Sequence, residues 1–379
     1  MLLLLKSRKL GFVSGISQQN FLRTLRTKSS NPYEDEDRKR ATENQGEYLH
    51  LHKSKGQHLL TNTRILDSIV RRSNVRPADT VLEIGPGTGN LTLKLLEVAK
   101  RVVAIELDRR MVDILQKRVA EHGLQDRLDV ICKDAMKTEF PQFDLVVANI
   151  PYGISSPLVA KLVYGENPFR SATLLLQKEF ARRLLAKPGD SEFNRLAVNV
   201  KLVADVEFVM DVSKREFLPC PKVDSSVVII RPKAENPNVN LDEWWAFTRT
   251  CFSKKNKTLG ATFKQKKKVM ELLKLATTRG YGNESIAITK TYKRDNDGDA
   301  EGEGGSEGED SNISCCSDLE MNSFKEKMVD VLRSGGFENK RPSKLSIEEL
   351  SHLLSLFNRS GIYFHDHLDH EPSTELFFE

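Results

Sequence analysis

Four consecutive residues, Asn149-Ile150-Pro151-Tyr152, are of the types needed to handle an exocyclic amine on a flat heteroaromatic ring. The amine of adenine is a poor nucleophile, because its lone pair is delocalised into the ring. The Asn149 amide oxygen and the Ile150 carbonyl can each accept one of its hydrogens. Together they would draw the nitrogen toward tetrahedral geometry and aim its lone pair at an incoming methyl group. Pro151 fixes the turn. The Tyr152 ring offers a stacking face to a base rotated out of its helix. No metal and no covalent nucleophile is required when the methyl arrives on a good leaving group. Alone, the tetrapeptide is ambiguous, since strand-terminal turns with Pro and Tyr also serve simply to pack a core.

A second constellation lies upstream. Glu83-Ile84-Gly85-Pro86-Gly87-Thr88-Gly89 follows a short apolar run, where a strand would turn into a helix. Gly85, Gly87 and Gly89 there permit positive φ and let a ligand approach the backbone. Glu106 follows the next apolar run and is placed to accept hydrogen bonds from both hydroxyls of a ribose. To this point a nicotinamide dinucleotide and S-adenosylmethionine are hard to separate. The G-x-G-x-G spacing and an acid after the third run, Asp134, favour the methyl donor, with Asp134 reaching the adenine amino group. The plainer alternatives are a surface acid at Glu106 and a helix cap at Asp134.

These residues need a scaffold that brings them to one edge. Seven short apolar runs read as buried strands: 81–84, 102–105, 128–131, 143–148, 173–177, 206–210 and 226–231. Helical periodicity separates the earlier ones, with Asp108 as a cap. The expected fold is α/β, a doubly wound, mostly parallel, seven-stranded Rossmann-like sheet. In such sheets ligands bind beyond the carboxyl ends of the strands, where Gly85, Glu106, Asp134 and Asn149 all emerge. Residues 51–235 form this domain. Residues 236–365 have a helical texture and form a smaller α-helical domain, in which Ser346 to Glu349 begins like a capping box. Residues 295–310 hold eight acids, five glycines and no base, which marks 293–318 as a disordered insertion. Residues 366–379 are a tail.

The bulk numbers agree with a large domain and a small one: 379 residues, 39% hydrophobic, 29% charged, net charge +5. No apolar run approaches the length of a membrane span, so no membrane partner is expected. Five cysteines without a C-x-x-C pair suggest a reducing compartment, with no disulfide framework and no zinc site. Residues 1–30 carry Lys6, Arg8, Lys9, Arg23, Arg26 and Lys28 and no acid, the composition of a mitochondrial or plastid transit peptide. Residues 31–50 are a polar linker. Between Arg249 and Lys274 there are nine Lys or Arg and one acid, with Phe252 and Phe263 interleaved. Lys254, Lys255, Lys257, Lys264, Lys266, Lys267 and Lys268 suit contacts to RNA phosphates, and Arg182 and Arg183 could extend the patch. A solvated lysine-rich helix face is the competing reading.

Taken in order, five strings resemble the ribosomal RNA adenine dimethyltransferase family: K-S-K-G-Q-H-L-L (53–60), E-I-G-P-G-T-G-N-L-T (83–92), N-I-P-Y (149–152), F-N-R-L-A-V (193–198) and F-L-P-C-P-K-V-D-S-S-V (217–227). The basic string 252–259 looks like the eukaryotic branch. The resemblance implies S-adenosylmethionine-dependent dimethylation of the N6 amine of two adjacent adenosines near the 3′ end of small-subunit rRNA. It further implies a monomer acting on an immature ribosomal subunit. His58, Leu60, Gly85, Glu106, Asp134 and Asn149 match cofactor-contacting positions, and Phe217 matches an aromatic that stacks on the target base opposite Tyr152. With the N-terminal composition, a mitochondrial member is expected, a plastid or the nucleolus being the alternatives. The acidic insertion departs from the family's usual helical domain. Three other functions compete: an assembly or organellar transcription factor without catalysis, a DNA adenine methylase, and a large-subunit rRNA methylase. The intact Asn149, Tyr152, Glu106 and Asp134 set opposes the first. Asn149 in place of an acid opposes the second, and the P-K-V-D-S string the third.

Overall fold

The computed structural model describes residues 57–235, 237–278 and 318–365. The basic segment 1–30, the linker 31–50, nearly all of the acidic insertion, Cys315, Cys316 and the tail 366–379 lie outside the described residues. Seven strands form one sheet: β2 (Thr80–Ile84), β3 (Arg101–Ile105), β4 (Leu128–Ile131), β5 (Leu145–Asn149), β6 (Ala172–Gln177), β7 (Ala204–Val212) and β9 (Ser225–Pro232). Their order is β4-β3-β2-β5-β6-β9-β7, parallel through β6, with β9 antiparallel to both its neighbours. All seven expected strands are present. A separate antiparallel pair, β1 (Leu59–Leu60) with β8 (Phe217–Leu218), was not foreseen.

Strand alternation explains why both sheet faces are covered. Leu82, Ile84, Val103, Ile105, Val146, Ala148, Leu174, Leu176, Val228 and Ile230 belong to one buried cluster. Val81, Val102, Ala104, Leu145, Val147, Leu175 and Val227 belong to the other. A period of two with apolar residues on both sides is the signature of a sheet sandwiched between helices. The second face receives α1 (Thr63–Arg72), α2 (Asn90–Val98) and α3 (Arg109–Glu121) through Leu66, Ile69, Leu91, Leu95, Leu115 and Val119. The first receives α4 (Ser155–Tyr164), α5 (Lys178–Leu185) and α6 (Arg195–Val203). Helix starts follow local chemistry. Asn62 caps α1 by accepting from the backbone N–H of Arg64 and Ile65, and Asp108 caps α3 by accepting from that of Arg110.

Among the described residues five further helices follow: α7 (Leu241–Phe252), α8 (Leu259–Phe263), α9 (Lys266–Thr278), α10 (Asp318–Ser334) and α11 (Ile347–Arg359). The predicted capping box is present, Ser346 and Glu349 bonding each other's backbone N–H. These helices do not stand apart from the sheet. Trp244, Phe247, Phe263, Phe357 and Phe364 fall in the same buried cluster as Leu82 and Val146. The joint is specific: the Tyr164 and Trp245 rings meet edge to face at 5.0 Å, and Tyr164 donates to the Asn199 carbonyl at 2.7 Å.

Candidate active site

Strands β2 and β3 turn outward to one side and the chain returns to β5 on the other. The switch point between β2 and β5 is therefore where a ligand crevice forms. A cavity of about 240 Å³ opens there. Its walls include His58, Leu60, Gly85, Gly87, Glu106, Asp134, Asn149, Ile150, Pro151 and Tyr152, so residues far apart in the chain meet as their spacing predicts.

The floor is the glycine turn. Gly85 has φ of +69°, and a Cβ on it would sit 3.3 Å from Pro151 Cδ. Gly87 has φ of +57°, and a Cβ there would lie 2.7 Å from Leu59 Cδ2. Both glycines are favoured by their left-handed conformation, and Gly85 also by its close approach to the Pro151 ring. Gly89 is different. It does not line the cavity; it caps α2 at φ +86°, and its absent side chain makes room for Leu115. Arg118 reaches under the turn and donates to the Thr88 carbonyl at 2.5 Å and to Asn90 Oδ1 at 2.9 Å.

Acids outnumber bases in the walls. Glu106, 9% exposed, accepts from the backbone N–H of Gly87 (3.1 Å, Oε2) and of Asp108 (2.9 Å, Oε1). Burial raises its pKa, and those two N–H donors oppose the rise. Asp134 Oδ1 accepts from the Met136 N–H at 2.9 Å, so this residue does cap its turn while its second oxygen stays available. Lys161 of α4 secures that turn by donating to the carbonyls of Ala135 (2.9 Å), Met136 (3.1 Å) and Thr138 (2.6 Å). Two more acids line the cavity that sequence reasoning had not placed in it, Glu83 and Asp108. Glu83 is 1% exposed and accepts from Thr92 Oγ1 at 2.6 Å. Burial pushes its pKa up to about 8, with the Glu106 charge adding to the rise. Asp108 is held well below the carboxylate range by Arg110, with help from Gln57. Their signal was present: Glu83 opens the glycine string with Thr92 nine residues on, but an acid inside an apolar run reads only as part of a strand.

The lid is the β1–β8 pair. Leu59 and Leu60 pair with Leu218 and Phe217. The His58 ring nitrogen Nδ1 lies 2.7 Å from the Pro219 carbonyl, Asn90 donates to the Leu60 carbonyl at 2.9 Å, and Gln57 donates to Asp108 at 2.8 Å. Segments 57–60 and 216–219 therefore form one strap, whose first half lines the crevice while the second holds it in place. This assigns a structural reason to the first and last of the five strings: they are the two halves of one clip.

At the crevice end of β5, Asn149 Nδ2 donates to the His58 carbonyl at 3.1 Å. The Tyr152 hydroxyl shares a 2.8 Å hydrogen bond with Ser225 Oγ, and burial raises its pKa. Phe217, expected opposite Tyr152, lies in the core of the second sheet face. It is 4% exposed, packs with Leu60 and Leu66, and lines no part of the cavity. The ring facing Tyr152 is His58, at 6.0 Å and 26°. Pairing in β8 turns Phe217 into the core, which a one-dimensional motif match cannot show.

The basic residues are scattered over a wider surface. Arg182, Arg183, Lys254, Lys257, Lys264, Lys266 and Lys267 are exposed, and Lys255 and Lys268 are half-buried. Several are engaged. Arg183 pairs with Glu179, Lys264 with Glu338 and Lys268 with Glu271, while Lys255 donates to the carbonyls of Ser191 and Phe193. Among the described residues Lys254, Lys257, Lys266 and Lys267 pair with no acid. Phe263 is fully buried and Phe252 packs on Phe193, so these rings belong to the core and not to a nucleic-acid face.

Comparison with known proteins places this geometry. Residues 49–293 match the model of a family described as ribosomal RNA adenine dimethylase. The chain is 68% identical over 318 residues to an Arabidopsis thaliana protein named mitochondrial ribosomal RNA small subunit methyltransferase, covering 84% of this chain and 82% of that one. It superposes on a crystal structure of a dimethyladenosine transferase from Plasmodium falciparum with a TM-score of 0.66 at 39% identity, over 81% of this chain and 100% of the other. A 23S rRNA methyltransferase, ErmE, shares the fold at a TM-score of 0.52 and 22% identity, over 79% and 99% of the two chains.

Proposed function

Because this chain belongs to the ribosomal RNA adenine dimethylase family, we propose that the crevice between β2 and β5 binds S-adenosylmethionine and presents Asn149 to an adenosine of small-subunit rRNA. The enzyme is an rRNA adenine N6-dimethyltransferase acting on two adjacent adenosines near the 3′ end. The sign of the walls supports this donor. Of the charged groups lining the cavity, Glu106, Asp108 and Asp134 outnumber Lys133, while Glu83 stays neutral. Such a lining suits a cation-bearing nucleoside and opposes the diphosphate of a dinucleotide. Glu106 would hold the ribose hydroxyls and Asp134 the adenine amino group. The bound donor supplies a methyl group on a sulfonium, which departs as a neutral thioether.

The chain's own residues do the rest. Tyr152 stacks on the extruded adenine, its hydroxyl anchored on Ser225. The Asn149 Oδ1 and the Ile150 carbonyl accept the two amine hydrogens and turn the lone pair toward the donor. The strap excludes water from the reacting atoms. Exposed lysines at 254, 257, 266 and 267, with Arg182, hold phosphates of the RNA. In the same proposal residues 51–235 are the catalytic unit and 236–365 the RNA-holding unit. The protein is a monomer that meets its rRNA in an immature ribosomal subunit. A basic, acid-free residue 1–30 segment and the mitochondrial relative support a mitochondrial location.

The observation that carries the reading is the committed Asn149 amide: its nitrogen is taken by His58, which leaves its oxygen for the substrate. Asn149→Ala should cut single-turnover methylation of a small-subunit rRNA fragment by on the order of 10²–10³-fold, while circular dichroism stays close to wild type and donor binding weakens only modestly. Wild-type turnover by that variant would remove the amine-polarising mechanism.

A further inference from the structure

An amide can present either of its two ends. Rotation by half a turn would swap Asn149 Oδ1 for its NH₂, and an NH₂ aimed at the substrate amine sets donor against donor. One contact decides between the two orientations. Asn149 Nδ2 lies 3.1 Å from the backbone carbonyl of His58, a group that can only accept. That carbonyl is itself fixed. His58 precedes the β1–β8 pair, its ring nitrogen sits 2.7 Å from the Pro219 carbonyl, and the next residues are held by Asn90 and by pairing with Leu218.

We propose that the His58 backbone carbonyl is the positioning group for catalysis. It forces Asn149 to show an oxygen to the substrate amine, and it makes this position require an amide where a carboxylate would otherwise serve. The inference rests on the reading that Asn149 polarises the amine, and adds what orients it. Its consequence is a coupling between lid and chemistry. When the strap is out of place, the amide is free to turn, and the site loses its acceptor even though every catalytic side chain remains.

The substitution Asn149→Asp separates these ideas. A carboxylate keeps an acceptor for the amine but has no hydrogen for the His58 carbonyl, so two oxygens would face each other. A protonated carboxyl restores the wild-type pattern: its O–H donates to His58 and its other oxygen accepts from the substrate. The groups facing this position are His58 on the strap, Glu83 and Glu106 at the ends of β2 and β3, Asp108, Lys133 and Asp134 beyond them, and Tyr152 on the same turn. Glu106, Asp108, Asp134 and the carbonyl outweigh the basic groups and favour the protonated form, while Glu83 is itself uncharged below about pH 8. All of these neighbours are also present in the wild type, so dividing the variant's rate by the wild-type rate at each pH removes most of their own titration.

Single-turnover methylation at saturating S-adenosylmethionine, from pH 6 to pH 9, is the test. The Asn149→Asp to wild-type ratio should be far below one at pH 9 and climb by up to about tenfold per unit as pH falls. The Asn149→Ala ratio should be low and flat. A flat Asn149→Asp ratio, at any level, overturns the positioning role while leaving the catalytic role of Asn149 to be judged by the alanine variant. Should the aspartate variant misfold, ¹⁵N-asparagine labelling of the wild type gives a second reading. One Asn149 amide proton, assigned by its loss in Asn149→Ala, should be protected from exchange. Two equally unprotected protons would overturn the proposal.

Discussion

Glu83→Gln is the perturbation whose size follows most directly from the structure. The Glu83 carboxyl is 1% exposed, its pKa is pushed up to about 8 from an ordinary 4.5, and the cause is first burial and then the nearby Glu106 charge. A raised value means that the folded protein holds a proton which the unfolded chain has released. The group's contribution to stability is therefore complete below about pH 4.5 and is lost as pH rises toward 8, at about 1.4 kcal/mol per unit. Between pH 5 and pH 8 the loss has a ceiling of about 4 kcal/mol. Glutamine keeps an acceptor for Thr92 and does not ionise, so the variant lacks this loss. The assay is thermal unfolding of the donor-free protein and of Glu83→Gln, side by side across that range. The two melting temperatures should lie close together at pH 5 and separate to a gap on the order of 8 °C at pH 8, with the variant higher. A gap that stays constant with pH, or that grows with the wild type higher, would refute the claim that Glu83 is a neutral acid beneath the glycine turn.

Lys161→Met removes three hydrogen bonds to the turn that carries Asp134; it should raise the S-adenosylmethionine dissociation constant about tenfold in calorimetry and leave RNA affinity unchanged. Gly87→Ala strains a left-handed residue and displaces the Leu59 side chain on the strap, and should weaken donor binding about tenfold in calorimetry. Gly123→Ala has a similar φ of +68° but meets nothing within 4 Å, so it should cost only about 1 kcal/mol of stability. Replacing Lys254 and Lys257 together by Glu should weaken RNA binding and flatten its dependence on salt, read by fluorescence anisotropy at several ionic strengths with donor affinity as the control.

Most of this arrangement was legible in the chain because strand and helix periods are local. Val81 to Ile84 and Phe143 to Ala148 can be recognised as buried strands without knowing what lies beside them, and the edge at which Gly85, Glu106, Asp134 and Asn149 meet follows from parallel topology. What escaped notice is set by non-local partners. Two-residue strands at Leu59 and Phe217 carry no period of their own, so neither the strap nor the burial of Phe217 could be read. Glu83 and Asp108 became wall residues only through packing. Phe263 alternates with lysines in sequence, yet a helix places it on the opposite face, in the core.

The clip between the two ends of the lid also sets when the site can exist. His58 and Pro219 are 161 positions apart. During synthesis at about 5–20 residues per second, the second half of the clip follows the first by roughly 8–30 s. The glycine turn, the wall acids and the Asn149 turn are all synthesised within that interval, before Pro219 can fix the His58 segment over the crevice. A nascent or unfolded chain is thus unable to hold the donor in its working pose, and the enzyme becomes competent in one step, late, when the strand after Glu216 closes on a segment that has been waiting since the start.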